Sequence, residues 1–268
     1  MRLRQITLAV IMSVLTALPA FAASKEETRV ADATDVVDQL LRIPEQGVPT
    51  ALLSRAYAVA VIPRVIKVGF GLGARRGKGV LVVRQEDNSW SNPAFITLTG
   101  GSFGFQVGAQ STDIILVFKT RSSVDGISNG KLTLGADASI AAGPVGRSAG
   151  AATDMTFRSE VYSYSRSRGL FAGVALEGSG VTMDRKANAA FYSSAQITPE
   201  DIFASSGNAA PPAANAFVQV LTAQTRRLPM RPGSASNAET VRAQPQSKSE
   251  SEVRTYGMNN DPDDDIRD

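Results

Sequence analysis

Between Ile62 and Arg84 the chain reads IPRVIKVGFGLGARRGKGVLVVR, in which Gly69, Gly71, Gly73, Gly77 and Gly79 alternate with six basic residues and no acid. The acid-free stretch extends from Glu45 to Glu86 and carries Arg55, Arg64, Lys67, Arg75, Arg76, Lys78 and Arg84. Guanidinium and ammonium groups at this density attract phosphates, and glycines let backbone approach what is bound. The spacing matches neither nucleotide loop. A Walker loop ending at Lys78 needs glycine where Leu72 stands and Ser or Thr where Gly79 stands; a dinucleotide fingerprint from Gly71 needs glycine at Arg76. The run GFGLGARRGKG from Gly69 to Gly79 therefore reads as a glycine-rich β-turn region carrying positive charge.

Gly100-Gly101-Ser102-Phe103-Gly104 fits the nucleophile pattern G-x-S-x-G, which requires a strand-to-helix turn and a histidine base. The residues that follow read as strand, and the chain contains no histidine and no cysteine. These two absences remove the commonest general base, thiol chemistry, thiolate metal sites and disulfides. Gly100–Gly104 is expected to be a tight strand connection, and no catalytic or metal-binding residue is assigned. Asp113, Asp137, Asp154 and Asp184 lack ligand spacing and read as structural. A second basic segment, YSYSRSRG from Tyr162 to Gly169, alternates aromatic with small polar residues before Arg166 and Arg168. It suits an amphipathic strand followed by a basic turn.

The elements that would position these side chains follow from periodicity. Residues 1–22 have the form of a secretory signal peptide: Arg2 and Arg4, a short apolar run, and small residues up to Ala22. Val30, Ala33, Val37, Leu40 and Leu41 give Ala23–Ile43 a helical face that stops before Pro44, and Pro49–Ala56 reads as a second short helix. YAVAVIP, Val80–Arg84, Phe95–Thr99, Gly104–Gly108, Asp113–Phe118, Leu132–Ala142, Glu160–Arg166 and Phe171–Met183 read as strands. Glycines inside several of them imply bends or close backbone approach. Helix returns at Thr198–Ala204 and Pro212–Arg227. Residues 229–268, with five basic and eight acidic side chains and few apolar ones, are expected to be a disordered polar, acidic tail. The net charge of +3 thus hides about +4 on residues 24–228. The expected fold class is α+β: a strongly curved, barrel-like antiparallel sheet with flanking helices in a single domain spanning residues 23–228.

Five segments in order resemble the SYLF domain family over about Val30 to Pro199: VIPRVIKVGFGLGARRGKGVLVVR, WSNPAF from Trp90, GGSFGFQVGAQSTDIILVF, LGADASIAAGPVGR ending at Arg147, and YSYSRSRGLFAGVALEG. The chain departs from the family pattern at Ser193, where glycine is expected after Phe191-Tyr192. The resemblance implies a non-enzymatic lipid-binding domain, with phosphoinositides as ligands and actin binding in eukaryotic relatives. Carried onto this sequence, it marks Lys67, Arg75, Arg147, Arg166 and Arg168, to which the charge pattern adds Arg76 and Lys78, as lipid-binding candidates. The expected partners are anionic lipids or a membrane surface, met in the periplasm or outside the cell at an envelope membrane, without cofactor or nucleic acid. The alternative is a protein-interaction module, actin-binding-like or an envelope structural partner.

Overall fold

The structure, a computed structural model, describes residues 23–42, 48–144, 158–167, 170–205 and 210–225. The leader, the acidic tail, Arg147 and Arg168 lie outside the described residues. The dominant feature is one long antiparallel ribbon, β1 (Ala58–Val83) paired with β2 (Ala94–Phe118) from Ala58↔Phe118 to Leu81↔Ala94. The turn expected over Gly69–Gly79 is therefore strand throughout, continuous with the strands expected on either side, and Gly100–Gly104 lies inside β2 instead of connecting strands. Glycine lacks a conformational preference that would reveal this, and cross-strand hydrogen bonding decides it: Gly69 pairs with Gly108 and Gly71 with Gly104. Register shifts between Ile62 and Val65 and between Gly69 and Gly71 bend the ribbon.

Shorter strands complete the sheet. The segment expected as one strand over Leu132–Ala142 is two, β3 (Lys131–Thr133) and β4 (Ile140–Ala142). Likewise Phe171–Met183 divides into β6 (Leu170–Gly173) and β7 (Gly180–Met183), and β5 (Val161–Ser167) lies between β4 and β6 in sequence. Strand order is β3-β7-β2-β5-β4, with β1 on β2 and β6 on β5. Pairing is antiparallel except for the short β4–β5 contact, so the fold is α+β with a strongly curved half-barrel sheet.

Alternation along the strands makes two cores. On the outer face, Val59, Val61, Val80, Val82, Phe95, Ile115 and Val117 pack under helices. These are α1 (Lys25–Arg42), α2 (Thr50–Ser54), α4 (Arg185–Phe191) and α6 (Pro212–Thr225). Helix α1 presents Val30, Ala33, Val36 and Val37, and α6 presents Ala214, Phe217 and Leu221. On the inner face, Ile62, Val65, Leu81, Ile96, Leu98, Ile114 and Leu116 pack with Val124 and Ile127 of α3 (Arg121–Ser128). Helix α5 (Pro199–Ala204) carries a capping box between Thr198 and Asp201. Helices α3 and α4 are additions to the sequence reading. The WSNPAF segment is a structural hub: Trp90 Nε1 donates to Thr225 Oγ1 at 2.8 Å, and its ring lies under the buried Arg84 guanidinium.

Candidate functional site

The curvature of β1 sorts the basic residues. Its first and last segments face each other through their inner sides: a Cβ on Gly79 would stand 2.7 Å from Ile62 Cα, and one on Gly77 would stand 2.6 Å from Val65 Cγ2. Two residues from Gly77 and from Val65, respectively, Arg75 and Lys67 belong to that same inner side. Ala74, Arg76 and Lys78 alternate with them and belong to the outer side, in register with Val80 and Val82 of the helix-covered core. The Ile62–Val65 bulge holds Arg64 in the left-handed region at φ 49° and brings Arg64, Ile66 and Val68 to the outer side as well.

This outer side runs beyond the reach of α1. Eighteen helical residues extend about 27 Å, much shorter than the ribbon they lie on. Past the helix, Ile66 and Val68 stand 54% and 47% exposed, large for apolar side chains in a sheet. A shallow groove there is lined by Arg64, Ile66, Val68 and the Ala74–Lys78 segment, Arg75 and Gly77 included. An adjoining groove of about 430 Å³ continues under the start of α1, between Lys25, Arg29 and Asp32 on the helix and Arg64, Ile66 and Lys78 on the strand. An apolar pair ringed by cations is suited to an anionic interface and holds no catalytic constellation.

The seven sequence candidates do not form one patch. Arg76 is exposed and pairs with no described residue, whereas Lys78 Nζ lies 2.8 Å from Asp184 Oδ2, with Arg29 on the same oxygen at 3.8 Å. Arg64 pairs with Asp32 of α1. Arg166 pairs with Asp113 at 3.2 Å and with Gln39 of α1, and Asp113 also accepts the Arg64 N–H at 3.0 Å. Arg75 Nη1 donates to the Ala175 carbonyl at 3.0 Å on the inner side. The stretch without acids in sequence therefore meets Asp32, Asp113 and Asp184 in space. Burial disfavours the Asp184 carboxylate, but the Lys78 hydrogen bond, the Ala187 N–H and the charges of Lys78 and Arg29 outweigh it and hold the carboxyl below the usual range. Burial pushes the Arg75 guanidinium down from its ordinary value, opposed by the charge of Glu177.

Ile66 and Val68 were not singled out from sequence, because a β-branched alternation predicts core and only the helix length shows that they are uncovered. Among the described residues there is no cluster of three potential metal ligands, and no helix is long and apolar enough to cross a membrane.

Residues 99–224 match the family described as Ysc84, Las17-binding protein actin regulator. The chain is 40% identical over 181 residues to Protein YSC84 of Saccharomyces cerevisiae, covering 66% of this chain and 38% of that protein. It is 41% identical over 151 residues to LAS seventeen-binding protein 3 of the same species, covering 55% of this chain and 33% of the relative. It is also 35% identical over 150 residues to human SH3 domain-containing YSC84-like protein 1, covering 56% and 44%. The matched region thus spans about a third to under half the length of these relatives.

Proposed function

This chain belongs to the SYLF (Ysc84) family, and from that premise we propose that it is a non-enzymatic domain that docks on anionic membrane surfaces through the outer side of β1. The observation that carries this reading is the uncovered Ile66–Val68 pair beside Arg64, Arg76 and Lys78. Each basic residue near an anionic surface contributes about 1 kcal/mol, attenuated over a Debye length of about 8–10 Å. The apolar pair, already half covered, adds about 1 kcal/mol per side chain on insertion. Lys78 and Arg64 already have carboxylate partners, so the sum corresponds to weak, salt-sensitive binding. The leader read in residues 1–22 supports an envelope membrane, approached from the periplasmic or secreted side, as the surface met.

Flotation with phosphatidylglycerol and phosphatidylcholine vesicles tests this. The protein is expected to float with the anionic vesicles and to be released at about 0.5 M salt, where the Debye length falls to a few Å. Ile66→Ser with Val68→Ser, and separately Arg64→Gln with Arg76→Gln, should each weaken retention several-fold. Equal retention on neutral vesicles, or indifference to salt, would remove the electrostatic reading. The family description favours one second reading, a protein-interaction module; a protein partner retained from solution in detergent, with no vesicle binding, would select it.

A further inference from the structure

Along β1 the side chains change sides once. Ala58, Ala60 and Ile62 belong to the inner core and Val59 and Val61 to the outer, so even-numbered residues point inward before Pro63. After Arg64 the order is reversed: Val65, Leu81 and Val83 are inner, and Val80 and Val82 are outer. Strand β2 keeps one order throughout, with Ile96 and Ile114 inner and Phe95 and Ile115 outer. The pairing locates the change. Ile62 faces Ile114 and Val65 faces Thr112, so Pro63 and Arg64 share the place opposite Asp113. One extra residue in a strand reverses the facing of everything beyond it. Regular pairing onward from Ile62 would turn Ile66, Val68, Arg76 and Lys78 inward and Lys67 outward.

A bulge interrupts the ladder, and the backbone groups it frees need other partners. Pro63 has no N–H, and the Arg64 N–H donates to Asp113 Oδ1 at 3.0 Å. The other oxygen of that carboxylate accepts from Arg166 Nη1 of β5 at 3.2 Å, and Arg166 also reaches Gln39 of α1. Arg64 stands at φ 49°, a backbone conformation that a non-glycine residue keeps only where its surroundings fix it. We propose that Asp113 is a positioning residue for docking: its carboxylate locks the inserted residue at Pro63–Arg64 and so keeps Arg64, Ile66, Val68, Arg76 and Lys78 on the outer side. This role rests on the docking reading, and it is opposite in sign to the effect of the charge. A carboxylate beside the docking cations weakens their attraction to an anionic surface, so by charge alone its removal would strengthen binding.

Asp113→Asn and Asp113→Ala separate the two effects. Both remove the charge, but only asparagine keeps an oxygen for the Arg64 N–H. Asp113→Ala is expected to lower retention on phosphatidylglycerol vesicles several-fold, and Asp113→Asn to be retained at least as well as the unsubstituted protein. Deleting Pro63 removes the extra residue and leaves Val65 opposite Thr112, so Asp113→Ala in that background should have little further effect. The chain has no cysteine, so facing is read in solution, without vesicles, from the thiol reactivity of Ile66→Cys and Lys67→Cys. The Ile66→Cys protein should react several-fold faster with a maleimide than the Lys67→Cys protein, and Asp113→Ala should narrow that difference. Unchanged or tighter vesicle binding by Asp113→Ala, or an unchanged difference in reactivity, overturns the proposal. If Asp113→Ala does not fold, its folding in the Pro63-deleted background supports the lock and its failure there overturns it. Absence of vesicle binding by the unsubstituted protein would instead remove the docking reading, and the thiol reactivities would still decide whether Asp113 sets the facing of β1.

Discussion

Ser193 holds its backbone at φ 52°, a region L-residues enter at a cost of about 1–2 kcal/mol. It follows the last turn of α4, where the Ser194 N–H reaches back to the Ala189 carbonyl at 3.0 Å. This is a Schellman-type helix end, and its left-handed position ordinarily belongs to glycine. The resemblance leads to the expectation of glycine at that residue, and the geometry supplies a reason for it. Ser193→Gly is expected to stabilise the protein by about 1 kcal/mol, read as an increased urea midpoint with an unchanged slope. A neutral or destabilising result would mean that the serine hydroxyl compensates for the backbone. At the same scale, the basic candidates show how residue type underdetermines role: Arg75 and Arg76 are adjacent in sequence, but alternation sends one to an inner carbonyl and the other into solvent.

At the scale of elements, the ribbon closes because small residues occupy its crossing. A Cβ on Gly79 would lie 2.2 Å from the Val61 carbonyl oxygen, and backbone cannot move aside as a flexible side chain can. Gly79→Ala should therefore cost about 3 kcal/mol or prevent folding, in line with overpacked interiors. Gly101→Ala, with no atom within 4 Å of the added carbon, should change stability by under about 0.5 kcal/mol. Similar melting temperatures for the two variants would contradict the close crossing. The same crossing opens the recess beyond Gly77 that Lys67 and Arg75 line. Helix α1 completes the picture by being too short: it covers Val80 and Val82 and leaves Ile66 and Val68 bare.

Across the whole molecule, Asp184 ties three elements together. It caps α4 through the Ala187 N–H, holds Lys78 of β1 and lies near Arg29 of α1. Its carboxyl is held below the ordinary value, so its contribution is complete above the unfolded carboxyl's pKa of about 3.9 and fades as pH falls through the lower folded value. Asp184→Asn keeps an oxygen for the cap but loses the charge. It should cost about 1–2 kcal/mol near neutrality, with the gap to the unsubstituted protein narrowing below about pH 4. Urea unfolding at both pH values measures this, and a gap independent of pH would rule out the ionic contribution. The sequence by itself determined the α+β class, most helix positions, the lack of histidine and cysteine chemistry, and the concentration of charge between Ile62 and Arg84, because periodicity, caps and composition are local properties. Only the tertiary structure decided that this glycine-rich stretch is one bent strand, that distant carboxylates neutralise part of its charge, and that its cations divide between two faces. Those outcomes depend on cross-strand pairing and on contacts between residues about 30 to 110 positions apart, which no local pattern of side chains encodes.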